Sequence, residues 1–388
     1  MSAIEPAPSR SAGAGAGFPL LLGITTLFGL AFSTYFLLPK YLAAELGADP
    51  IAIGGVTTIF WLASVAAVPF AGTQIDRRGR RLFAGIGGLL LAVSSAGFIW
   101  VQEIGPLIWV LRIVQGLGFT LFYVSVATLV ADLAPAARLS QALGLFGAVM
   151  IFTNAAGPAF AEWASARFGW PTVFAATALS ALLAAAGTRC VPDPERQRGE
   201  GPETGFLRVL RRPGMAPVMG ASAMTGWVFG TLFTFYQPWA LQLGIGRVAD
   251  YLVAYAGAAI AVRILAGNLA DRMGRLRAVQ AMALLYVLAP LAVIGLGQVG
   301  LLVAGALLGV AQGVYYPALN AIAIERAAAA ERGKVMAAYN GAFNLGLSAA
   351  GLSLGHLVAA GGYPPIFLLA TLICVATFAL LVVTGRHA

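Results

Sequence analysis

Three charged residues stand inside long apolar segments of this 388-residue sequence: Arg112, Glu162 and Arg263. A charge in an apolar medium is costly unless it is paired, so such residues are functional hypotheses by default. Their chemistry would be proton binding or contact with a charged substrate. For Arg112 the alternative is extension to water, for Arg263 a structural pair, and for Glu162 an ion pair or a solvated position at the end of its segment.

The composition excludes a soluble globule. Of the residues, 60% are hydrophobic and 10% are charged, and the mean hydropathy is +0.85, whereas about a quarter of a soluble domain is charged. Because roughly 20 helical residues cross a bilayer, we predict an all-α membrane protein with twelve transmembrane helices. The predicted spans, numbered 1 to 12 in chain order, are 18–41, 51–73, 82–101, 106–131, 139–163, 171–189, 215–242, 249–270, 278–297, 301–325, 334–358 and 364–384.

The net charge of +9 is a signal of topology. Most Lys and Arg residues lie in the first 17 residues, in alternate loops, in the segment 190–214 and at the end of the chain. This positive-inside distribution predicts that both termini are cytoplasmic, in a bacterial inner membrane, and it argues against a nucleic-acid partner.

The sequence repeats itself about its middle. The pattern Gly-x-x-x-Asp-Arg-x-Gly-Arg, which begins at Gly72, returns at Gly267. Gln115-Gly116 in span 4 likewise corresponds to Gln312-Gly313 in span 10. We therefore divide the chain into a disordered tail (1–17), a six-helix bundle (18–189), a linker (190–214) and a second six-helix bundle (215–385). Parallel repeats of this kind are typical of transporters, whose substrate site lies between the halves.

Two copies of this pattern, between spans 2 and 3 and between spans 8 and 9, resemble the signature of the major facilitator superfamily. The resemblance covers essentially the whole chain and implies two pseudo-symmetric bundles that rock about a central site. It also implies a gating latch in which Asp76 docks on the start of span 11 and Asp132 pairs with Arg80, with Glu325 as a looser counterpart for Arg275. The alternative is that these charges only set topology. The latch residues are Gly72, Asp76, Arg77, Gly79, Arg80, Asp132, Gly267, Asp271, Arg272, Gly274, Arg275 and Glu325.

Spans 4 and 5 resemble further signatures of that family. The segment that begins at Arg112 is similar to one in which a span 4 arginine is linked to proton movement. Gly144, Gly157 and Pro158 in span 5 resemble the signature of the drug and metabolite:proton antiporter branch, and Pro158 would bend the helix. Thr153, Ala161 and Glu162 stand where that signature has glycines.

Polar and aromatic residues in the spans that line the family's cavity are candidates for substrate contact. Any of them could instead join helices, because polar groups in lipid need internal partners. These candidates are Thr34, Tyr35, Gln115, Tyr123, Asn154, Tyr236, Gln237, Tyr255, Gln312, Tyr316, Asn320, Asn340 and Asn344. No Asp or Glu stands at mid-depth of spans 1, 4, 7 or 10, which favours a neutral or anionic amphiphile over a cation.

Two further motifs are set aside. Gly351-Leu-Ser353-Leu-Gly355 fits a nucleophile elbow, but it stands inside a predicted helix, where small residues allow close packing. The glycine pattern 295–300 fits a dinucleotide fingerprint, but no strand precedes it.

We therefore predict a secondary active transporter that is not an enzyme, has no cofactor or metal, and works as a monomer. It would move a small, moderately hydrophobic molecule by proton-coupled efflux. The alternative within transport is proton-coupled uptake of an organic anion, and the alternatives outside it are a membrane enzyme and a transport-dead sensor. The expected partners are the substrate, protons and the lipid bilayer.

Overall fold

The computed structural model describes residues 11–134, 139–192, 214–266, 269–295, 297–326 and 332–385. The α-helices in these ranges are Ser11–Thr34, Leu38–Ala44, Pro50–Arg78, Arg80–Gly97, Pro106–Leu133, Leu139–Phe168, Trp170–Gly187, Met215–Gln242, Ala249–Ala266, Leu269–Met273, Arg275–Gly295, Gly297–Glu325, Arg332–Gly361 and Pro364–Gly385. Within the described ranges, twelve helical segments are long and apolar enough to cross a membrane. The first combines the first two helices through a 3-10 turn, Tyr35–Leu37. The predicted number and order of spans are confirmed.

At two places the helix extends beyond the predicted membrane span. The helix of span 1 starts at Ser11, inside the segment 1–17 that was predicted to be a disordered tail, while the apolar span itself begins at Gly17. Span 2 continues to Arg78, five residues past the expected end, so Asp76 and Arg77 lie in its last turns. Hydropathy marks the part of a helix in lipid, whereas the helix itself extends beyond it.

Tight turns join the paired spans at the repeated motif. Gly79 alone separates spans 2 and 3 with φ +110°, and Gly274 precedes span 9 with φ +86°. Both φ values favour glycine, which accounts for the glycine at these two positions of the repeated motif. We call this side of the bundle the Gly79 face, and the opposite side, where span 1 ends, the Lys40 face. Gly267, the surroundings of Gly72 and the side chains of Asp76 and Asp271 lie outside the described part of the structure.

The halves meet through spans 2 and 11 and through spans 5 and 8, two pairings related by the repeat. Spans 2 and 11 cross so closely that a Cβ atom on Gly351 would lie 2.0 Å from Thr58 Oγ1, and one on Gly54 would lie 2.1 Å from the Gly351 carbonyl oxygen. Further along the same crossing, a Cβ atom on Gly355 would lie 2.7 Å from the Ile51 Cα. The Gly-x-Ser-x-Gly motif therefore serves helix packing, as predicted.

Spans 1 and 5 cross with equal closeness in the N-terminal half. A Cβ atom on Gly157 would lie 2.1 Å from Ser33 Oγ, which donates a hydrogen bond to the Thr153 carbonyl oxygen. Thr153, which stands where the antiporter signature has a glycine, faces Gly29 of span 1. At this crossing the glycine is therefore supplied by span 1 instead of span 5. No atom lies within 4 Å of a Cβ placed on Gly144, so packing does not require glycine there.

Candidate functional site

A small cavity with a free volume of about 40 Å³ lies between the two halves. Spans 1, 2 and 4 form one wall, and spans 7 and 11 form the other. Its lining residues are Phe32, Tyr35, Phe36, Pro39, Thr57, Phe60, Trp61, Arg112, Phe229, Gly230, Phe233, Thr234 and Leu347. The predicted placement of a site between the halves agrees with this cavity.

The aromatic walls of the cavity follow the internal repeat. Phe32 and Phe36 of span 1 stand 197 residues before Phe229 and Phe233 of span 7. Phe36 and Phe233 meet edge to face with ring centroids 5.6 Å apart, and each packs on the other phenylalanine of its own span. The two repeat-related residues thus contact each other where the halves come together.

Arg112 is the one charged residue among the described residues that line the cavity. Its side chain is only 4% exposed, so the alternative in which it extends to water is wrong. Nε donates to the Val56 carbonyl oxygen at 3.1 Å, and Nη1 donates to Gln115 Oε1 at 2.8 Å. The guanidinium carbon lies 4.6 Å from the centroid of the Phe60 ring. Span 4 therefore holds a cation at the cavity wall with neutral partners.

Glu162 is paired rather than solvated. Its Oε1 lies 2.6 Å from Lys40 Nζ, and the two side chains are 15% and 17% exposed. The same carboxylate accepts the backbone N–H groups of Val248 and Ala249, at 3.0 and 3.1 Å, where span 8 begins. Lys40 Nζ also donates to the Gly246 carbonyl oxygen at 2.6 Å. We call these five residues the Lys40 cluster.

The Lys40 cluster joins the halves by polar contacts that can be broken. A carboxylate at a helix N-terminus is favoured by the unpaired N–H groups and by the helix dipole, by about 0.3–1 kcal/mol at the surface and more where it is partly buried. Close by, Gln237 of span 7 donates to the Phe36 carbonyl oxygen at 2.6 Å and accepts the Lys40 N–H at 3.1 Å. These contacts close the cavity on the Lys40 face.

Arg263 lies apart from the cavity lining. Its side chain is exposed, and its Nη1 approaches Gly147 of span 5 across the boundary between the halves. It is also close enough to Tyr255 for an electrostatic interaction. This position is nearer to the Gly79 face than the cavity is, so the structure does not bring Arg263 together with Arg112.

Two ion pairs lie on the Gly79 face, one in each half. Arg80 pairs with Asp132, and Arg275 pairs with Glu325. Both pairings were predicted and are confirmed. Each joins the start of one span to the end of a neighbouring span within the same half. Arg77 and Arg272 are exposed on this face, and the docking of Asp76 on span 11 stays a prediction.

Most of the polar residues proposed for substrate contact lie outside the cavity lining, and several of them join helices. Tyr35 alone among them lines the cavity. Thr34, Gln115, Tyr236, Gln237 and Gln312 make hydrogen bonds inside the protein, to Leu30, Arg112, Val248, Phe36 and Tyr286 respectively. Tyr316 bonds to Asn340, and Tyr123 and Tyr255 pack on other rings. Asn154 and Asn320 each leave a buried Oδ1 atom without a described partner, and Asn344 is half-buried.

The phenylalanines of the cavity and Trp61 were not among the residues predicted from the sequence. A usable signal was present: aromatic residues stand three or four positions apart in spans 1 and 7, and the two sets share the repeat offset. Residues with this spacing share one helix face. Nor was Lys40 predicted to pair with Glu162, which stands 122 residues away in the sequence.

Comparisons with known proteins agree with this architecture. A profile described as Major Facilitator Superfamily matches residues 20–299 and 251–388. The multidrug resistance protein MdtL of Shewanella oneidensis is 24% identical over 161 residues, which are 42% of this chain and 40% of that protein. Multidrug resistance protein 1 of Bacillus subtilis is 28% identical over 170 residues, or 43% of each chain. The matches therefore span less than half the length of these curated relatives. A crystal structure of a mutant of the nucleoside transporter NupG covers 94% of this chain and 99% of its own, with a TM-score of 0.78 at 13% identity, and so shares the fold.

Proposed function

The chain belongs to the Major Facilitator Superfamily, and from this premise we propose that it is a secondary transporter. We propose that it exports a small, moderately hydrophobic molecule in exchange for protons, as a monomer in a bacterial inner membrane with both termini in the cytoplasm. The family and its fold favour transport over the enzyme and sensor alternatives.

One observation carries this proposal: the cavity lies between the two halves and is closed on the Lys40 face by contacts between them. Alternating access needs a central site whose closure on each side can be made and broken. In this proposal the Lys40 face is periplasmic, and the structure corresponds to the state closed on that side.

The two faces would use similar chemistry for closure. On the Lys40 face, the carboxylate of Glu162 caps the start of span 8. On the Gly79 face, Asp76 would cap the start of span 11 when that side closes. Spans 5 and 11, and spans 2 and 8, are repeat-related, so the two caps would exchange roles in each cycle.

Glu162 is the leading candidate for proton coupling. Protonation would remove the charge that attracts Lys40 and would weaken the acceptance of two backbone N–H groups. A proton arriving from the periplasm would therefore favour opening of the Lys40 face. Arg112 and Arg263 remain candidates that would act by pairing with a charged substrate or with a titrating group.

The names of the two multidrug resistance relatives favour efflux. The deciding experiment is transport by purified protein in proteoliposomes with an imposed pH gradient. Export predicts that substrate accumulates in inverted vesicles when their lumen is acidic. Accumulation only in right-side-out vesicles would instead support the uptake of an organic anion, an alternative favoured by the single cationic side chain in the cavity.

A further inference from the structure

We propose that the cavity selects planar aromatic carboxylates, with Arg112 binding the carboxylate and the phenylalanine walls enclosing the ring. This inference rests on the proposed function for its setting, because it specifies the substrate class of the same cavity. It does not depend on the direction of transport or on the coupling ion.

The first argument is the incomplete coordination of Arg112. Nε and Nη1 donate to oxygens that carry no charge, one from Val56 and one from Gln115. Nη2 has no hydrogen-bond partner among the described residues, although the side chain is 96% buried and lines the cavity. Arginine donors form a fork that matches the two oxygens of a carboxylate. A buried cation that lines a cavity and has only neutral partners is best completed by an anionic ligand.

The second argument is that the fold does not require this arginine. Gln115 of span 4 corresponds to Gln312 of span 10, and by the same offset Arg112 corresponds to Gly309. A Cβ atom on Gly309 would lie 2.2 Å from the Tyr255 carbonyl oxygen, so that position serves close packing of spans 8 and 10. The same architecture is thus built without a cation in the other half. Arg112 has a role that its repeat counterpart lacks.

The third argument comes from the walls. Phe32, Phe60 and Trp61 on one side face Phe229 and Phe233 on the other. Aromatic faces pack well on planar rings. They also attract cations, but the guanidinium 4.6 Å from the Phe60 ring already occupies that interaction and would repel a cationic ligand. The cavity therefore favours an aromatic anion over an aromatic cation of the same shape.

The test compares three probes of nearly equal shape: 2-naphthoate, 2-naphthamide and 2-naphthylmethylammonium. Their affinities for the full-length purified protein would be measured by calorimetry. We expect 2-naphthoate to bind at least 10-fold more tightly than the amide, and the ammonium to bind most weakly. Equal affinities, tighter binding of the ammonium, or no binding of 2-naphthoate at millimolar concentration would each overturn the proposal.

Variants test whether the charge of Arg112 causes the preference for the carboxylate. Arg112→Gln should weaken 2-naphthoate about 30-fold or more and leave 2-naphthamide within about 3-fold, whereas Arg112→Lys should retain part of the preference. Arg247→Gln is the control, since that arginine lies on the Lys40 face with a side chain 80% exposed. An unchanged preference for the carboxylate in folded Arg112→Gln would contradict the assignment. The comparison of probes on the unmodified protein stands even if this variant does not fold.

The proposed specificity and the proposed transport function can be contradicted independently of each other. If the carboxylate preference holds but proteoliposomes transport nothing, the proposed function is wrong and the specificity stands. If neutral compounds are exported but the preference is absent, the specificity is wrong and the proposed function stands.

Discussion

The Nζ atom of Lys40 lies 2.6 Å from Oε1 of Glu162, and this ion pair stands where span 5 meets the start of span 8. Both residues belong to the N-terminal half, yet each also bonds to the backbone of the C-terminal half, Lys40 to Gly246 and Glu162 to Val248 and Ala249. The pair therefore holds the halves together through backbone groups.

Glu162→Gln should loosen this closure, because an amide oxygen accepts the two N–H groups less strongly and does not attract Lys40. We expect the free energy of the closed state to rise by about 1–2 kcal/mol relative to the open state, which lowers the ratio of closed to open protein about 5- to 30-fold. Amide hydrogen exchange at Val248 and Ala249 measures this directly and should accelerate by the same factor. Glu45→Gln is the control: Glu45 bonds to Trp170 within the N-terminal half, and exchange at the two amides should stay unchanged. Equal protection in Glu162→Gln would show that the cap does not hold the face closed.

Gly351→Ala should disfavour the closed Lys40 face, because the added methyl group meets Thr58 Oγ1 at 2.0 Å. Overpacking of this kind costs about 1–3 kcal/mol. The measurement uses Phe36→Cys in a background without Cys190 and Cys374. When Gly351→Ala is added, this cysteine should react faster with an impermeant maleimide at the Lys40 face than it does with Gly351 in place. Gly341→Ala is matched in helix and in chemistry, and no atom lies within 4 Å of its Cβ, so it should not change that rate. Similar rates in both variants would mean that this crossing does not set the closure.

Asp76→Asn should slow transport at least 10-fold while the protein remains folded, because it removes the negative charge that would attract the start of span 11 when the Gly79 face closes. The measurement is substrate flux in proteoliposomes under a pH gradient. Asp49→Asn removes a charge from the other end of the same span, where Asp49 accepts the Ala52 N–H at 2.7 Å. Asp49 caps its own helix and makes no contact between the halves through that bond, and asparagine keeps the hydrogen bond, so this variant should transport normally. Normal flux in Asp76→Asn would remove the latch assignment.

The orientation can be measured with single cysteines. Arg78→Cys and Arg277→Cys, which flank the turns at Gly79 and Gly274, should react with an impermeant maleimide in inverted vesicles and stay unreactive in intact cells. Glu103→Cys, in the loop after span 3, should show the opposite pattern. Reaction of the first two from opposite sides of the membrane would contradict the paired halves themselves.

The sequence was sufficient for the spans and for the ion pairs at their ends. Apolar runs report what lies in lipid, and Arg80 and Asp132 were predictable partners because short connections place both at one face. Phe229 and Phe233 were not assigned to a cavity, since an aromatic residue in a span suits lipid as well as a binding site, and only their shared offset with Phe32 and Phe36 distinguished them. Lys40 was not predicted to pair with Glu162 because the two residues belong to different helices, and only the packing of spans 1, 5 and 8 brings them together.

In the proposed transport cycle, the edge-to-face contact of Phe36 with Phe233 would also limit the size of the substrate. These repeat-related rings approach each other from opposite halves, so a substrate leaving toward the Lys40 face would pass between them. The distance between the rings would then limit substrate size. Phe36→Leu or Phe233→Leu should allow transport of larger molecules without altering the preference for a carboxylate at Arg112.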